Sequence, residues 1–359
     1  MSRFHHTIQQ GNTMKLYHET IHAIKPLNTQ AMEEAQKRLD YLLKPQGSLG
    51  KLESIAKQLS GITGNIHNHI EKKAIVIGCS DNGVYEEGIA SFPQSVSTLI
   101  AGTMVTGLSG VAVLANHAGA ILKVIDVGLV TDVENDAIIN RKIRRGTHNI
   151  RKTAAMTKDE AIRAIEIGIE ETNVLIGSGY NLIGTGEVGI GNTTTSSAIL
   201  YALTGCDIDS VVGRGAGLTD EAFANKKKVV MDAVQINKPD RNDPIDVLSK
   251  LGGFDIACMT GVYLACAAKK IPVVIDGFIS GVAAVLAHKI HSDTVGYMIS
   301  SHGTEEPGGK IINTLLGLEP MLYMNMRLGE GTGAALAFSI IEAATAMMNN
   351  MGTFGDIGL

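Results

Sequence analysis

Two short stretches carry the residue types and spacing that could do chemistry: Leu182–Ser197, LIGTGEVGIGNTTTSS, and Arg327–Leu336, RLGEGTGAAL. In the first, Gly184, Gly186 and Gly189 spell G-x-G-x-x-G, the glycine spacing of a dinucleotide-binding turn. Glu187 sits inside that pattern, where it would repel a pyrophosphate yet could accept hydrogen bonds from a ribose. The pattern also falls mid-chain, whereas the fingerprint normally opens the first strand–helix unit. Asn192, Thr193 and the hydroxyls that follow offer several donors to one anion, which suits the three oxygens of a phosphomonoester. Gly186, Gly189, Gly191, Asn192 and Thr193 are therefore the candidate phosphate loop; a glycine turn followed by an ordinary helix cap is the alternative. Lys226, in NKKKVV, either brings the compensating charge or is a solvated helix lysine. No Gly-Lys-Ser/Thr follows the glycines, which excludes a P-loop NTPase. No paired acids precede a Thr-Thr-Gly turn of the kind that holds a magnesium pyrophosphoribosyl donor. Neither a metal site nor a cofactor is expected.

In the second stretch Glu330 stands between glycines at a predicted strand-to-helix turn. Glycine on both sides opens the approach to its oxygens, and a dry cleft would raise its pKa toward neutrality, as a general base requires. A helix-capping acid is the other reading of the same pattern.

These residues need a frame. Residues 1–70 read as helical, with Asn28 or Thr29 as a cap and stops at Pro45 and Gly47. From Lys73, apolar, β-branched runs alternate with helical patterns such as 158–171 and 220–236. The runs cover 74–78, 121–128, 181–186, 271–277 and 294–300. Continuous apolar runs suit strands buried on both faces, and intervening helices suit crossovers. The expectation is an α/β fold, a Rossmann-like parallel sheet over 71–330 flanked by helices. A small helical domain is expected from both termini, 1–70 and 331–359. In such a sheet the strand ends share one edge, gathering Cys79 to Gly83, Asp126, Glu187, Asp276, Ser301–His302 and, after MLYMNMRLG, Glu330. Six polar ends on one edge predict a cleft.

The chain has 359 residues and a net charge of -5, which gives no basic face for nucleic acid. Its four cysteines have no C-x-x-C spacing and read as buried free thiols in a reducing compartment. The first residues lack the apolar run of a secretory signal; His5-His6 reads as part of a loose tail, and Met14 as an alternative start. The most apolar region, 261–288, is interrupted by Lys269-Lys270 and Asp276 and should not span a membrane. A cytoplasmic protein is expected.

Seven collinear segments resemble one family, nicotinate-nucleotide–dimethylbenzimidazole phosphoribosyltransferase. They are KPQGSLGKLE (from Lys44), DNGVYEEGI with FPQSV (from Asp81), GTGEVGIGNTTT (from Gly184), VGRGAGL (from Val212), PVVIDGF (from Pro272), SSHGTEEPG (from Ser300) and LGEGTGAALA (from Leu328). The resemblance covers about residues 35 to 359. It implies transfer of 5-phosphoribose from nicotinate mononucleotide to a base nitrogen, with release of nicotinate and inversion at C1′. It also implies a dimer with the active site near the interface. Glu330 matches the family's catalytic base, Gly189 to Thr193 with Lys226 its 5′-phosphate site, and Glu187 and Asp276 its acids near the ribose and reacting centre. For the acceptor side and the rest of the cleft the matching segments offer Asp81, Glu87, Ala90, Leu99, Arg214, Ser301, His302 and Leu328. Three positions depart from the family pattern: Asn82 replaces a histidine, Ala90 a serine and, approximately, Leu99 a glutamine. A more apolar acceptor pocket follows, which leaves phenol or p-cresol as an alternative acceptor. Relatives using those acceptors work as heterodimers of paralogues, so a homodimer and such a heterodimer both stand. Outside the class, an NAD-dependent oxidoreductase would need the glycine spacing in AIVIGCSDNG, which lacks it. A catalytically idle subunit would have lost the base, and Glu330 is present.

Overall fold

A computed structural model describes residues 4–358 except Ala216, with side chains from Met14 onward. Three helices open the chain, α1 (Phe4–Ala23), α2 (Thr29–Tyr41) and α3 (Lys51–Thr63). The alternation of strands and helices then begins with β1 (Lys73–Ser80), α4 (Ser95–Val105), α5 (Gly110–His117), β2 (Ala120–Gly128), β3 (Ile139–Asn140), α6 (Lys158–Gly177) and β4 (Leu182–Val188). Four helices follow before the next strand: α7 (Asn192–Thr204), α8 (Asp220–Asn237), α9 (Pro244–Leu251) and α10 (Phe254–Lys269). The chain closes with β5 (Val273–Ile275), α11 (Phe278–Ile290), β6 (Met298–Ser300), α12 (Gly309–Leu316) and α13 (Thr332–Asn350). Local chemistry sets several starts: the Asn28 side chain accepts from Ala31 N at α2, and Thr157 with Glu160 forms a capping box at α6.

All strand pairings are parallel, in the order β3-β2-β1-β4-β5-β6. The order reverses between β1 and β4, and the cleft beyond the carboxyl ends of those two strands is where a doubly wound sheet binds ligands. Alternate side chains of each strand enter two different cores. Ala74, Val76, Ile183 and Val273 join the layer of α6 to α11, whereas Ile75, Ile77, Leu182 and Val274 join that of α2 to α5 and α13. Burial on both faces explains why the runs are continuous rather than alternating. Ala35, Leu39, Ile55 and Leu59 share the second core with Ile341 and Ala344, so both ends of the chain meet there. α1 lies on the other face, with Tyr17 and Ile24 in the first core against α6 and α10.

Several expectations need correction. β3 pairs only at Ile125–Ile139 and Asp126–Asn140, too short to leave a periodic signal. Of the run 294–300, the first part is a 3-10 turn (Ser292–Tyr297) and only 298–300 is strand. MLYMNMRLG forms no strand; it crosses the cleft as irregular chain, with one bridge between Leu322 and His302. The backbone at His5-His6 belongs to α1 rather than to a loose tail, and their side chains lie outside the described residues. The apolar stretch 95–117 breaks at a turn capped by Ser109, leaving helices of 11 and 8 residues. Neither approaches the ~20 residues that a membrane span needs.

Candidate active site

The glycines of LIGTGEVGIG are not arranged as a dinucleotide turn. Gly184 and Gly186 lie inside β4, with α13 packed over the first and the turn before α13 crossing directly over the second. A Cβ on Gly186 would lie 2.3 Å from the Glu330 carbonyl oxygen and 2.6 Å from Ile77 Cδ1. The glycine therefore lets the backbone of Glu330 rest on the strand. Gly186→Ala is expected to lift that turn. Overpacking of about 1–3 kcal/mol should lower the melting temperature, and a shift of ~1 Å in Glu330 should cost on the order of 100-fold in turnover. A melting curve beside a rate measurement checks both.

Gly329, Glu330 and Gly331 are three consecutive residues with positive φ (80°, 64° and 100°), a conformation that disfavours glutamate. Two acids hold it. Glu187 Oε1 accepts from Glu330 N (3.3 Å), and Asp276 accepts from Gly331 N (3.0 Å), Gly333 N (2.6 Å) and Ala334 N (3.2 Å). Asp276 thus caps α13 with both oxygens and fixes the turn that presents Glu330. Burial pushes the Glu330 carboxyl above its ordinary range; the Val111 amide at the start of α5 opposes that and nearby Asp276 adds to it. Its Oε2 is buried without a partner among the described residues. Glu187, 6% exposed, is pushed well up by burial and by Asp255, while bonds from Glu330 N and Asn192 pull it down.

These groups line a cavity of about 680 Å³ with the amino end of α7, where Gly189, Gly191, Asn192 and Thr193 meet Lys226. The Lys226 ammonium donates to Thr193 Oγ1 (3.0 Å) and to the Gly213 carbonyl (2.9 Å). It is almost wholly buried, and burial holds its pKa down at about 8 against the opposing pull of Glu306. A helix amino terminus with a buried ammonium beside it is an anion site. The hydroxyl run contributes less than its sequence suggests. Thr194, Thr195, Ser196 and Ser197 are fully buried on α7; Thr195 bonds its own helix and Ser197 the Val211 carbonyl, leaving Thr193 at the cavity.

A phosphoribosyltransferase family model matches residues 24–359. The chain is 54% identical over 340 residues to a nicotinate-nucleotide–dimethylbenzimidazole phosphoribosyltransferase of Ruminiclostridium cellulolyticum, covering 95% of this chain and 97% of that one. A Clostridium acetobutylicum protein of the same name is 53% identical over 93% of this chain and 95% of its own. The crystal structure of CobT from Thermus thermophilus superposes with a TM-score of 0.88 at 33% identity, over 92% of this chain and 99% of that one. The chain belongs to this phosphoribosyltransferase family.

In this phosphoribosyltransferase the remaining sequence candidates divide. Ala90, Arg214, His302 and Leu328 line the cavity. Arg214 stands at its rim, stacked 4.6 Å over Phe223 and donating to the Leu218 carbonyl. Four others lie outside it. Asp81 is buried, accepting from Ser97 Oγ (2.6 Å) and Val130 N (2.9 Å). Glu87 pairs with Arg151 at 2.8 Å. Ser301 donates to the Asp276 carbonyl from behind. Leu99 is 67% exposed on α4, and Val96 and Ile100, one helical turn apart, supply the apolar wall with Ile89, Ala90 and Phe92. Gly186 lies beneath the Glu330 turn, and Asp126 spends its carboxylate on Gly128 N, Leu129 N and Lys142. Sequence reasoning missed Glu306 and Arg327, both in the cavity and both inside quoted motifs. It also missed Asp255, which no motif flags.

Proposed function

We propose that the chain transfers 5-phosphoribose from nicotinate mononucleotide to a nitrogen of 5,6-dimethylbenzimidazole, releasing nicotinate and giving the α-ribotide. The observation that carries this reading is one cavity holding both a desolvated carboxylate on a rigid turn and a buried ammonium at a helix amino terminus. The volume of about 680 Å³ suits a mononucleotide with a bicyclic base, and the wall of Ile89, Val96 and Ile100 suits an aromatic acceptor. Nicotinate departs from a cationic pyridinium, so the leaving group needs no proton. The acceptor must lose one, and Glu330 takes it. The amino end of α7 and Lys226 hold the 5′-phosphate, and Glu187 faces the positive charge developing at C1′. Incubation with nicotinate mononucleotide and 5,6-dimethylbenzimidazole, adenine, phenol or p-cresol, read by mass spectrometry, tests this. The benzimidazole ribotide is expected in greatest yield, and absence of every ribotide sinks the proposal.

The chain works, on this reading, as a homodimer. Leu108, Val113, Met324 and Leu328 are exposed beside the cavity mouth, and a groove of Leu108, Val113, Leu114 and Met326 adjoins it through Arg327 and Leu328. A second copy covering this apolar face would close the site, as the family resemblance implies. Sedimentation of the wild type as a dimer, and of Leu108→Asp/Val113→Asp as a monomer, is the expected outcome; a monomeric wild type counts against it.

A further inference from the structure

Beneath the cavity lies a carboxyl with no assigned task. Asp255, in the first turn of α10, is fully buried and does not line the cavity. Its Oδ2 accepts from Asn192 Nδ2 at 3.1 Å, and the same nitrogen donates to Glu187 Oε2. One amide thus bridges two carboxyls. The other oxygen, Asp255 Oδ1, has no partner among the described residues, and neither does the buried Asn82 Oδ1. These two acceptors crowd the same point: a Cβ built on Gly253 would lie 2.3 Å from one and 2.6 Å from the other. Flipping the Asn82 amide does not solve this, because its Nδ2 faces the carbonyls of Ser80 and Ile190, each at 3.5 Å, and a flip would turn an oxygen toward both. A proton on one of these two neighbouring buried acceptors would satisfy both.

We infer that Asp255 is a positioning residue whose carboxyl is kept neutral. Its O–H donates to Asn82 Oδ1, and its other oxygen orients Asn192 so that the amide holds Glu187 at the reaction centre. This rests on the proposed role of the cavity and extends it: of the two carboxyls sharing Asn192, Asp255 keeps the proton and Glu187 carries the charge that faces the ribose. Burial and neighbouring acids push both carboxyls up, and what separates them is their partners: both Glu187 oxygens accept from donors, whereas Asp255 Oδ1 has none among the described residues. Cys79 and Asp81 approach from the β1 end, Glu187 from β4 and Cys258 from α10 itself, with Asp276 beyond Glu187. The nearest stacking cation, Arg144 over Phe254 at 5.4 Å, is engaged by Glu160 and the Ala155 carbonyl. Burial raises the Asp255 carboxyl to about 7, helped by Asp81, while the bonds from Asn192 and from the backbone amides of Ile256 and Asp255 itself pull it down.

Asparagine reproduces a neutral aspartic acid, donating to Asn82 and accepting from Asn192, whereas alanine removes both bonds. Asp255→Asn should therefore keep kcat/KM within about threefold of wild type, and Asp255→Ala should lose roughly 10- to 100-fold through a loosened Glu187. Wild-type activity should fall as pH rises through about 7, where the second carboxyl ionises beside Glu187, and Asp255→Asn should lack that fall. Asparagine as damaging as alanine overturns the inference, since an anion would then be needed. Infrared difference spectra decide it without turnover. A protonated-carboxyl carbonyl band should persist in Glu187→Gln and vanish in Asp255→Asn; its persistence in Asp255→Asn overturns the assignment. Should no acceptor give a ribotide, the proposed function fails while the infrared result still stands.

Discussion

Glu330→Gln is expected to lower kcat by about 10²- to 10⁴-fold, the contribution of a positioned general base, with donor affinity unchanged. Glutamine keeps the shape, so the left-handed turn, the bond from residue 330 N to Glu187 and the Asp276 cap all remain. What disappears, on the proposed reading, is the carboxylate that takes the proton from the incoming base. The pH profile carries the same signature. Burial lifts the Glu330 carboxyl above its ordinary value, so wild-type turnover should rise with pH as that proton leaves, at a midpoint above the usual carboxylate range. The residual rate of the variant should lack this limb. Single-turnover measurements with calorimetric donor titration separate the two effects. A kcat within tenfold of wild type, or a retained acid limb, would assign the base to another group.

Much of this frame is legible in the sequence, for a definite physical reason. Ile75 and Ile77 face one core while Ala74 and Val76 face the other, and only a strand buried on both faces leaves so continuous an apolar run. Reading fails where apolarity and burial part company. MLYMNMRLG looks like a strand, yet Tyr323 and Leu328 are 73% and 59% exposed, because that segment rims the cavity and adjoins the apolar groove. It fails again where a run of like residues lies along a helix. On α7 each residue turns by about 100° from the last, so five consecutive hydroxyls cannot all face one anion, and four point inward. The same rotation puts Leu99 outside and Ile100 inside. Asp276 shows a further limit: a carboxylate at a strand end reads alike whether it meets substrate or caps a distant helix, and here it binds three amides of the α13 turn. Asp255 leaves no local signal, since its partners Asn82 and Asn192 join it only through the fold.

Lys226→Met is expected to raise the donor KM by about 10- to 100-fold, the worth of one buried charged hydrogen bond, and to leave kcat at saturation near wild type. The 5′-phosphate is remote from the bond that breaks, so its contacts bind ground state and transition state alike, and uniform binding appears in KM. Nearly complete burial means that solvent does not screen the charge. Removing it also deprives Thr193 Oγ1 and the Gly213 carbonyl of their donor, so a modest fall in melting temperature should accompany the KM effect. The pH dependence separates binding from folding. With its pKa held at about 8, free Lys226 is a cation at neutral pH and loses its charge as pH rises through that value. Wild-type donor KM should therefore climb above pH 8, while that of the methionine variant stays level. A donor KM that climbs alike in both proteins, or a variant impaired only in kcat, would place the 5′-phosphate away from Lys226 and the amino end of α7.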